Sequence, residues 1–78
     1  MKTNEKLKTE IMNELGRDPT ITSTDIAVAT KDGVVTLTGK VPFYAEKWAA
    51  ERATQRVGGV KAIAEEIVVS LAAGLSTD

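Results

Sequence analysis

The sequence contains no cysteine and no histidine, and its aromatic residues are one phenylalanine, one tyrosine and one tryptophan. Without cysteine there is no disulfide framework and no thiolate chemistry. Without histidine, the usual general base, proton shuttle and zinc ligand are missing. No apolar run approaches the roughly 20 residues of a membrane-spanning helix. We therefore expect a protein that is not an enzyme and that needs no cofactor and no side-chain metal site.

The near balance of charge argues against a nucleic-acid binder, and the short chain limits the protein to one domain. Ten basic residues nearly balance eleven acidic ones, whereas a dedicated nucleic-acid binder usually carries a basic excess, so no nucleic acid is expected as a partner. A chain of 78 residues forms one domain at most. We predict a single domain over residues 1–78, with its core over about 4–71 and a flexible tail over 72–78. So small a core leaves little room for a deep site, and no small-molecule substrate is expected.

The start of the chain carries both signs of charge and lacks the apolar segment of a signal peptide. We expect a cytoplasmic protein if Met1 is the native start, and a periplasmic one if a signal peptide has been removed.

The first predicted element is a helix over residues 4–15. Leu7, Ile11 and Leu15 recur every four residues and share one face. Gly16 is expected to end the helix with a positive φ, and Pro19 prevents its continuation.

A β-hairpin follows, with strands over about 25–30 and 34–41. Asp32 and Gly33 between two alternating runs indicate the tight turn. Gly39 predicts a bend or a close backbone approach. Alternation places four aliphatic side chains inward: Ile26, Val28, Val35 and Leu37.

A second helix runs from Pro42 to about Val57, and a last strand covers about 62–71. On a helical wheel, one aromatic and several small residues gather on the core side: Phe43, Ala49, Ala50, Ala53 and Val57. In the last strand four residues point inward by period two: Ile63, Ile67, Val69 and Leu71. Glu65 interrupts that set, which predicts a position at the sheet rim or at a bulge.

The predicted fold is therefore an α/β (α+β) two-layer sandwich of α-β-β-α-β order. Two helices cover one face of a three-stranded mixed sheet, and the second helix connects parallel strands. The other face would display small and half-apolar residues: Ala27, Ala29, Val34, Thr36, Thr38, Val68 and Ser70. This composition fits an ordinary solvated face, and it also fits a contact with a neighbouring domain or with a second copy of the chain.

An ordered set of residues resembles the BON domain, a bacterial domain named for an osmotically inducible periplasmic protein and for nodulation proteins. The set is Asp18-Pro19, Ile26-x-Val28, Gly33-x-Val35-Thr36-Leu37-x-Gly39-x-Val41, Ala50-x-x-Ala53-x-x-x-Val57-x-Gly59-Val60-x-x-Ile63 and Ile67-x-Val69. The resemblance covers about residues 5–71. The chain departs from it at Glu65, where the family commonly has a small polar residue, and at Trp48, where the family is usually polar.

The resemblance implies an α-β-β-α-β fold and a non-catalytic module that associates with phospholipid membranes or cell-envelope components, in a context of stress response or transport. It also leaves two other functions open. One is a protein–protein or interdomain module from a tandem-BON protein. The other is the binding of a cation, potassium, through backbone carbonyls.

The residues themselves indicate a binding surface at the start of the second helix. Tyr44 and Trp48 lie four apart on the predicted outward side, and Arg52 continues the same line. Such amphipathic aromatics suit membrane interfaces and protein hot spots. Lys47, Arg52 and Lys40 are expected to meet lipid phosphates or an acidic partner. In the alternative interpretation, Trp48 simply packs over the helix rim or against the first helix, or is fixed by a cation–π contact with Arg52.

Overall fold

A computed structural model describes residues 2–21 and 25–70 of the chain. The five elements are α1 (Asn4–Arg17), β1 (Ile26–Lys31), β2 (Val34–Val41), α2 (Tyr44–Gln55) and β3 (Ala62–Val69). Their order confirms the predicted α-β-β-α-β arrangement. Neither of these two helices is both long and apolar enough to cross a bilayer.

The sheet has the order β1-β2-β3, so β2 is central and β3 forms an edge. β1 pairs with β2 in antiparallel register, from Ile26 opposite Gly39 to Lys31 opposite Val34. β3 pairs with β2 in parallel, from Ala62 opposite Val34 to Val69 opposite Val41. The mixed three-stranded sheet is thus confirmed, with α2 as the crossover between the two parallel strands.

Both helices contribute to one apolar core on the same side of the sheet. Its buried members come from every element and from the turn after α2: Leu7, Ile11, Leu15, Val28, Val35, Leu37, Val41, Ala50, Ala53, Val57 and Ile67. The aliphatic positions predicted from period 3.6 in α1 and period 2 in β2 are therefore confirmed. The two helices and one sheet face form the predicted two-layer sandwich.

The backbone conformation of the hairpin explains the glycines at positions 33 and 39. Asp32 and Gly33 both have positive φ, 53° and 85°, which is the geometry of a tight hairpin turn that matches strand twist. Gly39 has φ 140°, and a Cβ there would lie 1.9 Å from the carbonyl oxygen of Asp25. The predicted close backbone approach at Gly39 is confirmed, and no other residue type fits that position.

The predicted end of α1 is wrong. Gly16 lies inside the helix, which continues to Arg17, and it is not among the positive-φ glycines. Asp18 is the C-cap, with extended backbone at φ −83° and ψ 114°. Because the ring of Pro19 disfavours helical backbone in the preceding residue, Pro19 ends the helix at Asp18, and the glycine signal is not needed.

Phe43 is also placed differently from the prediction. It is the N-cap of α2, with extended backbone at φ −138° and ψ 148°, and it is 54% exposed. A residue outside the first helical turn does not follow the helical wheel, so its predicted core position is wrong. The predicted inward position of Leu71 and the tail over 72–78 lie outside the described residues.

Candidate functional site

Helix α2 buries three of its alanines and exposes both of its aromatic residues. Ala49, Ala50 and Ala53 are fully buried, which brings the helix axis close to the layer beneath it. Tyr44 and Trp48 lie on the opposite side, 61% and 59% exposed. Both rings therefore lie on the outward side of the helix, as predicted.

The two rings contact each other along the helix. Their centroids are 6.2 Å apart, and the ring planes are tilted by 47°, as expected for residues four apart on a helix surface. We call Tyr44, Lys47, Trp48 and Arg52 the aromatic strip. Lys47 lies over the face of Tyr44, with its Nζ 5.8 Å from the ring centroid. Among residues 2–21 and 25–70, the cation over a ring is Lys47 on Tyr44, and the predicted alternative of Arg52 on Trp48 is not present.

Phe43 extends the exposed aromatic surface beyond the strip, and sequence reasoning assigned it to the core instead. A usable signal is Glu46, which stands three residues after Phe43 and is buried at 3% exposure. A glutamate at this spacing is typical of the third helical residue, whose side chain can reach back toward the N-cap. That spacing favours Phe43 as the N-cap, although its side chain makes no capping hydrogen bond.

The cations of the candidate site are not all in one place. Lys47 and Arg52 both lie on α2, and Arg52 is exposed. The half-buried Glu51 lies between them on the helix surface and offsets part of their charge. Lys40 shares the parity of Val34, Thr36 and Thr38 in β2, so it belongs to the sheet face opposite α2. The structure therefore brings Tyr44, Lys47, Trp48 and Arg52 together, and leaves Lys40 apart.

Lys47 is held from beneath by Glu65. The Lys47 Nζ lies 3.8 Å from Glu65 Oε1, and the two side chains are 27% and 19% exposed. Glu65 stands opposite the fully buried Leu37 in the continuous β2–β3 register. The rim alternative for Glu65 is thus confirmed, because β3 is an edge strand, and the bulge alternative is wrong. Within residues 2–21 and 25–70, Glu65 Oε2 is buried without a hydrogen-bond partner.

The second predicted surface, the uncovered sheet face, is also present. Val34 and Val68 are exposed there, alongside alanines and half-buried threonines of the same face. The mixture of small apolar and hydroxyl side chains matches the prediction, and it is also the usual composition of a solvated antiparallel face.

A concavity of about 540 Å³ lies between the start of α1 and the turns at Gly33 and Gly59. Several of its polar groups make contacts within the fold. Lys2 pairs with Glu10 and donates to the Gly58 carbonyl, and the Asp32 amide donates to Asn4 Oδ1 at 2.9 Å.

Side chains suited to hold a metal ion are not grouped anywhere in the part of the chain that the structure describes. Carboxylates there are scattered, whereas a calcium site needs several oxygens converging on one point. A potassium site made of backbone carbonyls stays a prediction.

The two helices packed on one face of a mixed sheet define a small α/β module, and its tyrosine and tryptophan are exposed. The chain belongs to the BON domain family, whose model matches residues 3–70. A search of curated proteins found no match to the chain. The resemblance drawn from the sequence is therefore confirmed over nearly its whole length.

Proposed function

We propose that this BON-type module is a non-catalytic binding domain that associates with anionic phospholipid surfaces through the aromatic strip. The observation that carries the proposal is the inverted size distribution of α2. Ala49, Ala50 and Ala53 are buried, while Tyr44 and Trp48 are about three-fifths exposed. Folding alone gives no reason to put the larger residues on the outside.

The chemistry of the strip fits a bilayer interface. Tyrosine and tryptophan are favoured at headgroup depth, where their apolar rings and polar tips are both satisfied. Lys47 and Arg52 flank the rings, and a cation that reaches an anionic surface contributes about 1 kcal/mol. Arg52 is exposed, whereas Lys47 is 27% exposed beside Glu65. Lys40, on the other sheet face, is expected to contribute least. Phe43 at the start of α2 adds apolar surface next to Tyr44.

The same residues also suit a protein partner, because tryptophan, tyrosine and arginine dominate protein hot spots. A second protein or another BON domain is therefore the competing occupant. The two are separated by experiment, since a bilayer partner depends on lipid charge and salt, whereas self-association depends on protein concentration.

The test uses Trp48 as its own reporter, because it is the only tryptophan in the chain. Vesicles of phosphatidylglycerol, and separately of phosphatidylcholine, are added to the full chain at low and at high salt. We expect a blue shift of the emission and co-sedimentation with phosphatidylglycerol, both weakened by salt. An unchanged emission without co-sedimentation at low salt would exclude the membrane proposal.

A matched pair of variants makes the test specific. Trp48→Asp places a charge in the aromatic strip, and Met12→Asp places the same charge on α1, where Met12 is 53% exposed. We expect Trp48→Asp to abolish co-sedimentation and Met12→Asp to retain most of it, with circular dichroism showing both folded. Concentration-dependent association of the wild type that only Trp48→Asp removes, without vesicle binding, would favour the protein partner.

A further inference from the structure

Glu65 lies under the aromatic strip and bears on how the strip responds to lipid charge. We propose that Glu65 is a specificity-determining residue, which holds the Lys47 ammonium against β3 and so lowers the preference of the strip for anionic lipid. This inference rests on the proposed function. Its first support is geometric, since the Lys47 Nζ lies 3.8 Å from Glu65 Oε1 and the lysine side chain is only 27% exposed.

The second support is the position of Glu65 in the sheet. It projects from the face that also carries Ile63 and Ile67, opposite the buried Leu37. A carboxylate on a largely apolar face is costly unless a cation compensates it. If Lys47 turned toward a bilayer, Glu65 would lose the cation paired with it among the described residues. Glu65 therefore opposes the release of Lys47 to a lipid phosphate.

The third support is that Lys47 and Glu65 are close but are not joined by a hydrogen bond. A distance of 3.8 Å is longer than a hydrogen bond, and Glu65 Oε2 is buried without a hydrogen-bond partner in the described parts of the chain. The ammonium also contacts the Tyr44 ring face, which leaves it near the surface. Lys47 is thus restrained by charge and can exchange the carboxylate for a phosphate when the restraint is weakened.

The chain supplies a matched control in the next residue. Glu66 carries the same charge, but it lies on the opposite sheet face, in register with Thr38, and it is exposed. Glu65→Gln and Glu66→Gln therefore change the net charge equally. They differ in whether the lost charge faced Lys47.

The experiment measures partition of the full chain onto phosphatidylglycerol and phosphatidylcholine vesicles. We expect Glu65→Gln to raise binding to phosphatidylglycerol about fivefold, the factor that one added cation near an anionic surface gives, and to leave phosphatidylcholine binding unchanged. Glu66→Gln is expected to change either by less than about twofold. Lys47→Gln should have little effect alone and should cancel the gain in the double variant with Glu65→Gln.

A second measurement needs no membrane. The rate at which Lys47 is acetylated is read by mass spectrometry against the exposed Lys8 of α1. It should rise several-fold in Glu65→Gln and stay at the wild-type value in Glu66→Gln. If Glu65→Gln does not fold, Glu65→Asp replaces it. Aspartate keeps the charge on a shorter side chain, so the acetylation rate of Lys47 should rise by a smaller factor.

Equal vesicle binding by Glu65→Gln and Glu66→Gln, or a gain that survives Lys47→Gln, would overturn the role of Glu65. The proposed function would then still stand if Trp48→Asp abolished binding. If the wild type does not bind phosphatidylglycerol vesicles at all, both proposals are wrong, whatever the acetylation rates show.

Discussion

The two helices use opposite arrangements of side-chain size. Helix α1 buries its large aliphatics Leu7, Ile11 and Leu15 and shows water a charged surface, on which Glu14 pairs with Arg17 and with Arg56 at 3.3 and 3.6 Å. Helix α2 buries alanines and shows water the tyrosine and the tryptophan. Both helices cover the same sheet, so the fold alone does not require the difference.

The comparison separates what folding explains from what it does not. In α1 every large apolar residue except Met12 lies in the core, and the N-cap Thr3 accepts a hydrogen bond from the Lys6 amide at 3.0 Å. Apart from Met12 and from Gly16, which lies inside the helix, local signals and burial agree in α1. In α2 they agree only on the inward side. A local departure of this kind is expected where a surface has a task besides folding.

The largest effect should come from the inward side of α1. Ile11 is fully buried, and truncation of such a residue leaves a cavity that costs about 2–5 kcal/mol. In a domain of this size, total stability is on the order of 4–12 kcal/mol. At about 4–8 °C per kcal/mol, Ile11→Ala should lower the melting temperature by about 8 °C or more. Thermal and urea unfolding followed by circular dichroism measure this loss.

The neighbouring exposed residue serves as the control for Ile11→Ala. Met12→Ala lies on the outer surface of the same helix, and we expect a change within about 0.5 kcal/mol. If Ile11→Ala and Met12→Ala lowered the free energy of unfolding equally, the exposed side of α1 would contribute to stability as much as the buried side.

The fold was largely predictable because its signals are local and redundant. The spacing of Leu7, Ile11 and Leu15 and the turn at Asp32 and Gly33 each specify one geometry. The error at the end of α1 arose because two stop signals stand three residues apart, at Gly16 and Pro19. Proline acts through a steric clash, whereas glycine only permits a turn, so Pro19 determines where the helix ends.

The inward side of α2 offers the next effect in size. Ala53 is fully buried, so a larger side chain there must push the helix away from its neighbours. We expect Ala53→Leu to cost about 1–3 kcal/mol by overpacking, measured by urea unfolding. Ala45→Leu, on the exposed surface of the same helix, should be close to neutral. Equal stability of Ala53→Leu and the wild type would mean that α2 has room beneath it and that its alanines are not required.

The candidate site was predictable only in part. Helical period placed Tyr44, Trp48 and Arg52 together, because all three lie within one regular helix. Lys40 lies in a strand, and its parity with Thr36 and Thr38, which the sequence also contains, places it on the other sheet face. The contact between Lys47 and Glu65 joins residues from different elements, and no local spacing reports a distance that depends on how α2 packs on β3.

The smallest effect on stability is expected on the outward side of α2, at Trp48. It tests directly whether the two helices differ for a reason other than folding. Trp48→Ala gains about 0.5 kcal/mol of helix propensity and loses a contact with Tyr44 of about 0.2–0.5 kcal/mol, typical of residues four apart. The two changes nearly cancel, so we expect urea unfolding within about 0.5 kcal/mol of the wild type, with vesicle binding strongly reduced. A loss of more than about 1 kcal/mol would instead identify Trp48 as a packing residue. In that case the exposed ring would be explained by folding, and α2 would differ from α1 only in the size of what it buries.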